Sequence, residues 1–238
     1  MKIVLIGYGK MGKAIEIVAK KRGHDIVLII DENNLHLLES TQMQNADVAI
    51  EFSVPKSAPT NIKHCINIHL PIIVGTTGWD KEYVDIKKYC IDNAGTMLAA
   101  SNFSIGVNIF FALNAYLANI MKRYNDYNCS ISEIHHMQKL DAPSGTAITL
   151  ANEIIKQSDH YESWRLKEKM LPEEICIQSI REGEVPGTHI VQYNNDIDTI
   201  QIKHEAHNRE GFALGAVLAA EWIMDKKGVY EMKDVLGI

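Results

Sequence analysis

The feature that most constrains this chain is the alternation of short apolar runs with helical stretches over roughly its first hundred residues. KIVLIG (Lys2–Gly7), DIVLII (Asp25–Ile30), DVAIEF (Asp47–Phe52), PIIVGT (Pro71–Thr76) and TMLAAS (Thr96–Ser101) read as strands. Helical patterns lie between most of them, at about 10–22, 56–67 and 80–92. Strands that are apolar along nearly their whole length must be covered on both faces, and helical crossovers between them indicate a parallel sheet. The segment between Asp31 and Asp47 offers only a weak helix, so that crossover is abbreviated.

The pattern changes after Gly106. VNIFFALNAYLANIMKRY (Val107–Tyr124) reads as a long apolar helix, CSISEIHH (Cys129–His136) as a strand, and 144–156 as another helix. Three β-rich runs follow: ICIQSIREG (Ile175–Gly183), THIVQYNN (Thr188–Asn195) and DTIQIKHEA (Asp198–Ala206), with Asn-Asn-Asp as a turn signal between the last two. The stretch Arg209–Lys226 is helical again. This second part predicts an α+β domain with an open, mixed, largely antiparallel sheet.

The 238 residues suffice for two domains, and the 46% apolar and 23% charged content is that of a globular protein. A formal net charge of -6 gives no bulk support for nucleic-acid binding, so any anionic ligand needs a local basic cluster. The four cysteines are scattered without a CxxC pair, which predicts neither a disulfide framework nor a metal site and suits a reducing cytoplasm. The apolar run at the N-terminus is too short for a signal sequence or a membrane span. The expectation is a soluble cytoplasmic protein.

Between the first strand and the first helix stands GYGKMG, with glycines at Gly7, Gly9 and Gly12; the second strand ends at Asp31. In a dinucleotide-binding Rossmann domain Gly7 permits the tight turn, Gly9 lets the backbone approach the pyrophosphate, and Gly12 allows close helix–strand packing. Asp31 then accepts hydrogen bonds from the adenosine ribose, and the first-turn amides around Met11 face the phosphates. Glu32 follows Asp31, and two carboxylates beside the ribose repel a 2′-phosphate. NADH is therefore the expected cofactor, with NADPH possible. Lys10 either reaches an adenosine-side phosphate or faces solvent. Gly75-Thr76-Thr77-Gly78 and Ser101-Asn102-Phe103 follow later strands, where open α/β sheets bind ligands. Each alone is an ordinary strand-to-helix turn; with the glycine loop they outline a nicotinamide crevice.

The stretch HHMQKLDAPSGTA (His135–Ala147) leads from a strand into a helix. Backbone amides at a helix start, with the Ser144 and Thr146 hydroxyls and Gly145, form an anion site without net charge, to which Lys139 adds a cation. A titratable imidazole at His135 or His136 stands ready as acid or base. The residues by themselves indicate a nicotinamide oxidoreductase acting on an anionic substrate. His204 and His207 read as structural or surface residues, Trp79, Trp164 and Trp222 as packing residues, and Pro172–Glu174 as a solvated strand entry.

The set GYGKMG, EFSVP (Glu51–Pro55), GTTG, SNFSIGVN (Ser101–Asn108), HHMQKLDAPSGTA and GEVPGTH (Gly183–His189) resembles the 4-hydroxy-tetrahydrodipicolinate reductase family over nearly the whole chain. The resemblance implies reduction of a cyclic imine dicarboxylate in lysine and diaminopimelate biosynthesis, with hydride delivered to C4 of the ring and a proton to C3. It casts His135 as catalytic acid, Lys139 as its partner, and His136, Ser144, Gly145 and Thr146 as substrate contacts. Arg209 matches a family arginine that supports closure over substrate, or is a solvated helix-start residue. Lys10 and Glu51 depart from the arginine and aspartate common in the family. The implied organisation is a dinucleotide domain of residues 1–103 and 208–238, a substrate and oligomerisation domain of 104–207, and a homotetramer. An amino-acid dehydrogenase or a noncatalytic NAD sensor is the rival reading; neither requires His135 and Lys139 together.

Overall fold

The computed structural model describes residues 1–166, 173–208 and 210–238. They form two compact units, Met1–Ile105 with Glu210–Ile238, and Gly106–Arg209.

The first unit carries a parallel sheet of β1 (Lys2–Ile6), β2 (Asp25–Ile30), β3 (Val48–Glu51), β4 (Ile72–Val74), β5 (Thr96–Ala99) and β11 (Gly228–Tyr230), in the order β11-β5-β4-β3-β1-β2. The continuous apolar runs follow from its two covered faces. Ile3, Leu5, Val48, Ile50 and Leu98 pack on one side with α1 (Lys10–Lys21) and α7 (Glu210–Trp222). Val4, Ile6, Ala49, Ile72 and Met97 pack on the other with α3 (Ala58–Asn67) and α4 (Asp80–Asp92). Successive residues of one strand thus enter opposite cores, and the buried polar residues Glu51 and Thr96 stand at strand ends. The abbreviated crossover is a 3₁₀ turn at Leu35–Glu39 and the single-turn α2 (Thr41–Gln44), so β2 ends the sheet on that side.

The C-terminal segment differs from its sequence pattern. The helix stops at Trp222, Asp225 takes a positive φ of 62°, and β11 and α8 (Met232–Leu236) follow. Three residues of β11 are too few for a periodic signal, yet they pair with β5 from Gly228 to Tyr230.

The second unit contains α5 (Ile105–Met121), β6 (Asn128–His135), α6 (Gly145–Gln157), β7 (Ser163–Leu166), β8 (Glu174–Arg181), β9 (Gly187–Asn194) and β10 (Thr199–Ala206). Its sheet has the order β10-β9-β6-β8-β7. The mixed character is as expected, but antiparallel pairing covers only β10–β9 and β9–β6; β6–β8 and β8–β7 are parallel. The parallel half comes from the α6 crossover and from β7, a short strand of alternating polarity that the sequence pattern does not mark. Cys129, Ile131, Ile175, Ile177 and Val191 meet Leu150, Ala151 and Ile154 of α6 in one core. Among the described residues no helix is long and apolar enough to cross a membrane.

Gly215 in α7 packs closely against the Phe103 backbone. A Cβ there would lie 1.7 Å from the Phe103 carbonyl oxygen. Alanine gains about 1 kcal/mol of helix propensity over glycine, but overpacking a core costs about 1–3 kcal/mol, and more against rigid backbone. Gly215→Ala is therefore expected to lower the thermal midpoint by several degrees, measured by circular dichroism; an unchanged or raised midpoint would show that α7 moves freely off Phe103.

Candidate functional site

In the first unit, the residues singled out by sequence lie after the carboxyl ends of parallel strands. Gly7 has φ 94°, and a Cβ there would meet the Phe52 carbonyl oxygen at 2.2 Å. A Cβ on Gly12 would lie 2.3 Å from the Gly7 oxygen, so helix and turn touch through backbone. At Gly9 a Cβ would meet nothing within 4 Å. Gly9 is the N-cap of α1 and offers no side-chain cap, leaving the first-turn amides at Lys10 and Met11 open to an anion. Lys10 is exposed, and Asp31 is half-buried directly after β2, with one carboxylate oxygen accepting from Asn33 N–H at 2.8 Å. This open, uncapped helix start with a carboxylate beside it fits a dinucleotide.

The GTTG and Ser-Asn-Phe loops are more structural than expected. Gly75 is required by Phe52, whose ring would lie 2.1 Å from a Cβ at that position. Close cofactor approach is thus not what demands glycine there. Thr76 is buried, its Oγ1 accepting from Ser53 N–H at 2.8 Å and its carbonyl from Trp79 Nε1 at 2.7 Å, whereas Thr77 is exposed. The Phe103 side chain belongs to the core, 2% exposed and 5.6 Å centroid to centroid from Phe52; Ser101 is exposed and Asn102 half-buried. Beneath these loops Glu51 is buried and accepts from Ser53 and Asn61; burial raises its pKa against those hydrogen bonds.

In the second unit, β6 alternates its buried residues, Cys129, Ile131, Glu133 and His135, along one face. The last two replace apolar residues with a carboxylate and an imidazole. Register places His189 of β9 and Ser179 of β8 beside Glu133, and Arg181 beside His135. Glu133 is fully buried, and its donors come from three directions. Ser144 N–H reaches both oxygens at 3.1 Å, Ser179 Oγ donates at 2.7 Å, and Arg181 lies 3.4 Å away. Burial alone would raise the Glu133 pKa; the bonds from Ser144 and Ser179 and the nearby His135 more than offset it and hold the group ionised.

His135 Nδ1 faces Glu133 Oε2 at 3.6 Å, and the His189 ring stands edge-on to His135 at 5.0 Å. Burial lowers the His135 pKa, with Lys139 and Arg181 acting in the same sense against Glu133. His189 is held neutral, its pKa lowered to about 3, chiefly by burial. Lys139 Nζ is bound by both oxygens of Asp141, at 2.8 and 2.9 Å. Arg181 straps the same loop, donating to the carbonyls of Lys139 at 3.3 Å and Asp141 at 2.6 Å.

Ser144 caps α6 through Ala147 N–H at 3.2 Å and pairs with His189 Nε2 at 3.1 Å, so its buried hydroxyl is part of the scaffold. The first intrahelical bond runs from Ile148 to Ser144, which leaves the Gly145 and Thr146 amides ahead of it; Gly145 is exposed and Thr146 half-buried. His136 lies past the last residue of β6 and is half-buried, its N–H bound to the Val185 carbonyl at 2.9 Å. Arg209 and Pro172 lie outside the described residues. Trp79 is buried, and His204 packs against Phe110 at 6.0 Å.

The structure thus brings Glu133, Ser179, Arg181 and His189, which sequence reasoning did not single out, to the stretch that carries His135, Lys139, Gly145 and Thr146. One signal was available: Glu133 stands two residues before His135, on the face that β6 otherwise fills with Cys129 and Ile131. Glu133, His135 and His189 also offer ligand atoms within 4.8 Å of one another. The guanidinium of Arg181 on the same carboxylate satisfies that charge without an ion.

Comparison with known proteins identifies the family. The model for the dihydrodipicolinate reductase N-terminus matches residues 1–103, and that for the C-terminus of the same enzyme matches 106–236. A 4-hydroxy-tetrahydrodipicolinate reductase from Christiangramia forsetii is 49% identical over 237 residues, covering 99% of this chain and 98% of that one. A protein of the same name from Thermosipho africanus is 35% identical over 238 residues, again covering 99% and 98%. In fold, the chain is similar to a dipicolinate-bound dihydrodipicolinate reductase from Paenisporosarcina sp. TG-14, with a TM-score of 0.77, 23% identity and 97% of each chain covered. By motif, fold and full-length identity, this chain belongs to the dihydrodipicolinate reductase family.

Proposed function

We propose that this chain catalyses the NAD(P)H-dependent reduction of 4-hydroxy-tetrahydrodipicolinate to tetrahydrodipicolinate, in lysine and diaminopimelate biosynthesis. The observation that carries the reading is the buried cluster at the end of β6. There an imidazole and the amide-bearing start of α6 meet one ionised carboxylate, Glu133, and a lysine of the same loop is paired with Asp141. Neither an amino-acid dehydrogenase nor a cofactor sensor has need of that set.

When bound, the reduced nicotinamide supplies the hydride. The glycine-loop residues Gly7, Gly9, Lys10, Met11 and Gly12 would hold its pyrophosphate, and Asp31 would accept from its ribose hydroxyls. Asp31 followed by Glu32 disfavours a 2′-phosphate, which supports NADH over NADPH. The Gly145 and Thr146 amides receive one substrate carboxylate, and Lys139, released from Asp141, stabilises the negative charge that develops as hydride adds to the conjugated imine. His135 donates the proton that completes the reduction at the neighbouring ring carbon. His136 lines the same loop as a substrate contact. A planar pyridine dicarboxylate mimics the substrate and is expected to bind the same residues.

Oxidation of NADH should depend strictly on the product of dihydrodipicolinate synthase, supplied by that enzyme in a coupled assay. NADH should give a higher kcat/KM than NADPH. No substrate-dependent oxidation would refute the activity; equal values, or a preference for NADPH, would refute only the role given to Asp31 and Glu32. Removing the proton donor, His135→Ala, should lower kcat by about 10²- to 10⁴-fold, the usual share of a general acid, with the NADH Kd nearly unchanged. Lys139→Ala should cost on a similar scale in kcat. A loss confined to KM would make Lys139 a binding residue only, and near-normal kcat in His135→Ala would remove that side chain from the proton transfer.

A further inference from the structure

We propose that Glu133 is a positioning residue that directs Nδ1 of His135 inward and leaves Nε2 as the atom that delivers the proton. The proposal rests on the reductase reading above and extends it to a residue to which the family signature loop gives no part.

Three observations carry it. The carboxylate cannot swing away, because Ser144 N–H reaches both of its oxygens while Ser179 and Arg181 hold Oε1. His135 Nδ1 faces Oε2 at 3.6 Å and is buried, without a hydrogen-bond partner among the described residues. On the opposite edge of the ring, a Cβ at residue 187 would come within 3.2 Å of Nε2, so glycine at that position keeps a side chain away from that nitrogen. His189 is excluded from the same role, since its Nε2 is engaged by Ser144 Oγ at 3.1 Å.

A carboxylate at Nδ1 favours the tautomer with hydrogen on that nitrogen and stabilises the imidazolium form. The transfer then balances simply. The Nε2–H bond breaks as the C–H bond forms at the ring carbon, the electron pair of the broken bond stays on Nε2, and His135 is left neutral with hydrogen on Nδ1. Water returns the proton to Nε2 before the next turnover. The reductant is the hydride of the bound nicotinamide, and Glu133 itself is neither protonated nor consumed.

The test is Glu133→Gln, which keeps the volume and an acceptor for Ser144 N–H while removing the charge. The charged and titratable groups facing His135 are Glu133 on its own strand, Arg181 of β8, His189 of β9, and Lys139 and Asp141 of the loop. Only the first changes. Because the carboxylate raises the His135 pKa, its loss should move the alkaline fall of kcat/KM to lower pH. It should also lower kcat by on the order of 10-fold or more, with the NADH Kd within twofold of the parent. A pH profile superimposed on the parent would overturn the proposal even if kcat falls, since a purely structural role changes no ionisation. If the variant does not fold, nitrogen-15 spectroscopy of the histidine rings in the unmodified protein decides, with His135 assigned by loss of its signals in His135→Gln. Neutral His135 should carry hydrogen on Nδ1; hydrogen on Nε2 would overturn the assignment. Neither readout of ionisation depends on which imine is reduced, so failure here is distinguishable from failure of the reductase reading.

Discussion

A carboxylate with no exposed surface, Glu133, fixes the arrangement of the second unit's site. Leaving such a charge unpaired inside a protein costs several kcal/mol, more than most single contacts contribute, so its partners are obligatory. Those partners are the backbone of Ser144 at the start of α6 and the side chains of Ser179 and Arg181 on β8. Satisfying one buried charge thus ties the end of β6 to the start of the helix and to the neighbouring strand. Arg181 passes the constraint on through the Lys139 and Asp141 carbonyls, so the loop that carries Lys139 is held from the same carboxylate that faces His135.

The first unit solves a different problem with a hydrophobic plug. Phe52 follows β3 and occupies the space that side chains at Gly7 and Gly75 would need, while its ring packs on Phe103. The turn at Gly7 and the loop at Gly75 thus pack on Phe52, through its backbone and its ring respectively, and Thr76 adds hydrogen bonds to Ser53 and Trp79. Gly9 is the member of the glycine loop whose missing side chain meets no protein atom, and it is where a ligand has room to touch backbone.

Much of this was legible in the sequence, for reasons that particular residues make plain. The parallel sheet could be read because β1 through β5 feed two cores, which forces uninterrupted apolar runs such as Ile3–Ile6. Asp80–Asp92 could be read as a helix because its few buried positions, Ile86 and Cys90, recur at helical spacing. The short pieces β7, β11 and α8 were not legible, because they lack the uninterrupted apolar run that marks the equally short β3 and β4, and β7 and β11 are placed by pairing with β8 and β5. Among the site residues, His135 and Lys139 stand in one contiguous stretch, whereas Ser179, Arg181 and His189 reach Glu133 only through sheet register. At Gly75, Ser144 and Phe103, which the sequence singles out for a ligand, the structure adds packing and hydrogen bonds within their own unit that the sequence does not show.

The claim on which the account turns is that the end of this mixed sheet, with the first turn of α6, receives a dicarboxylate beside a proton donor. Amide proton–nitrogen spectra of the NADH-saturated protein, titrated with pyridine-2,6-dicarboxylate, test it directly. The account predicts that the Gly145 and Thr146 amides shift in step with saturation and that Lys139→Ala weakens binding by about tenfold, roughly 1.4 kcal/mol. Saturable binding that leaves those two amides unmoved would contradict it.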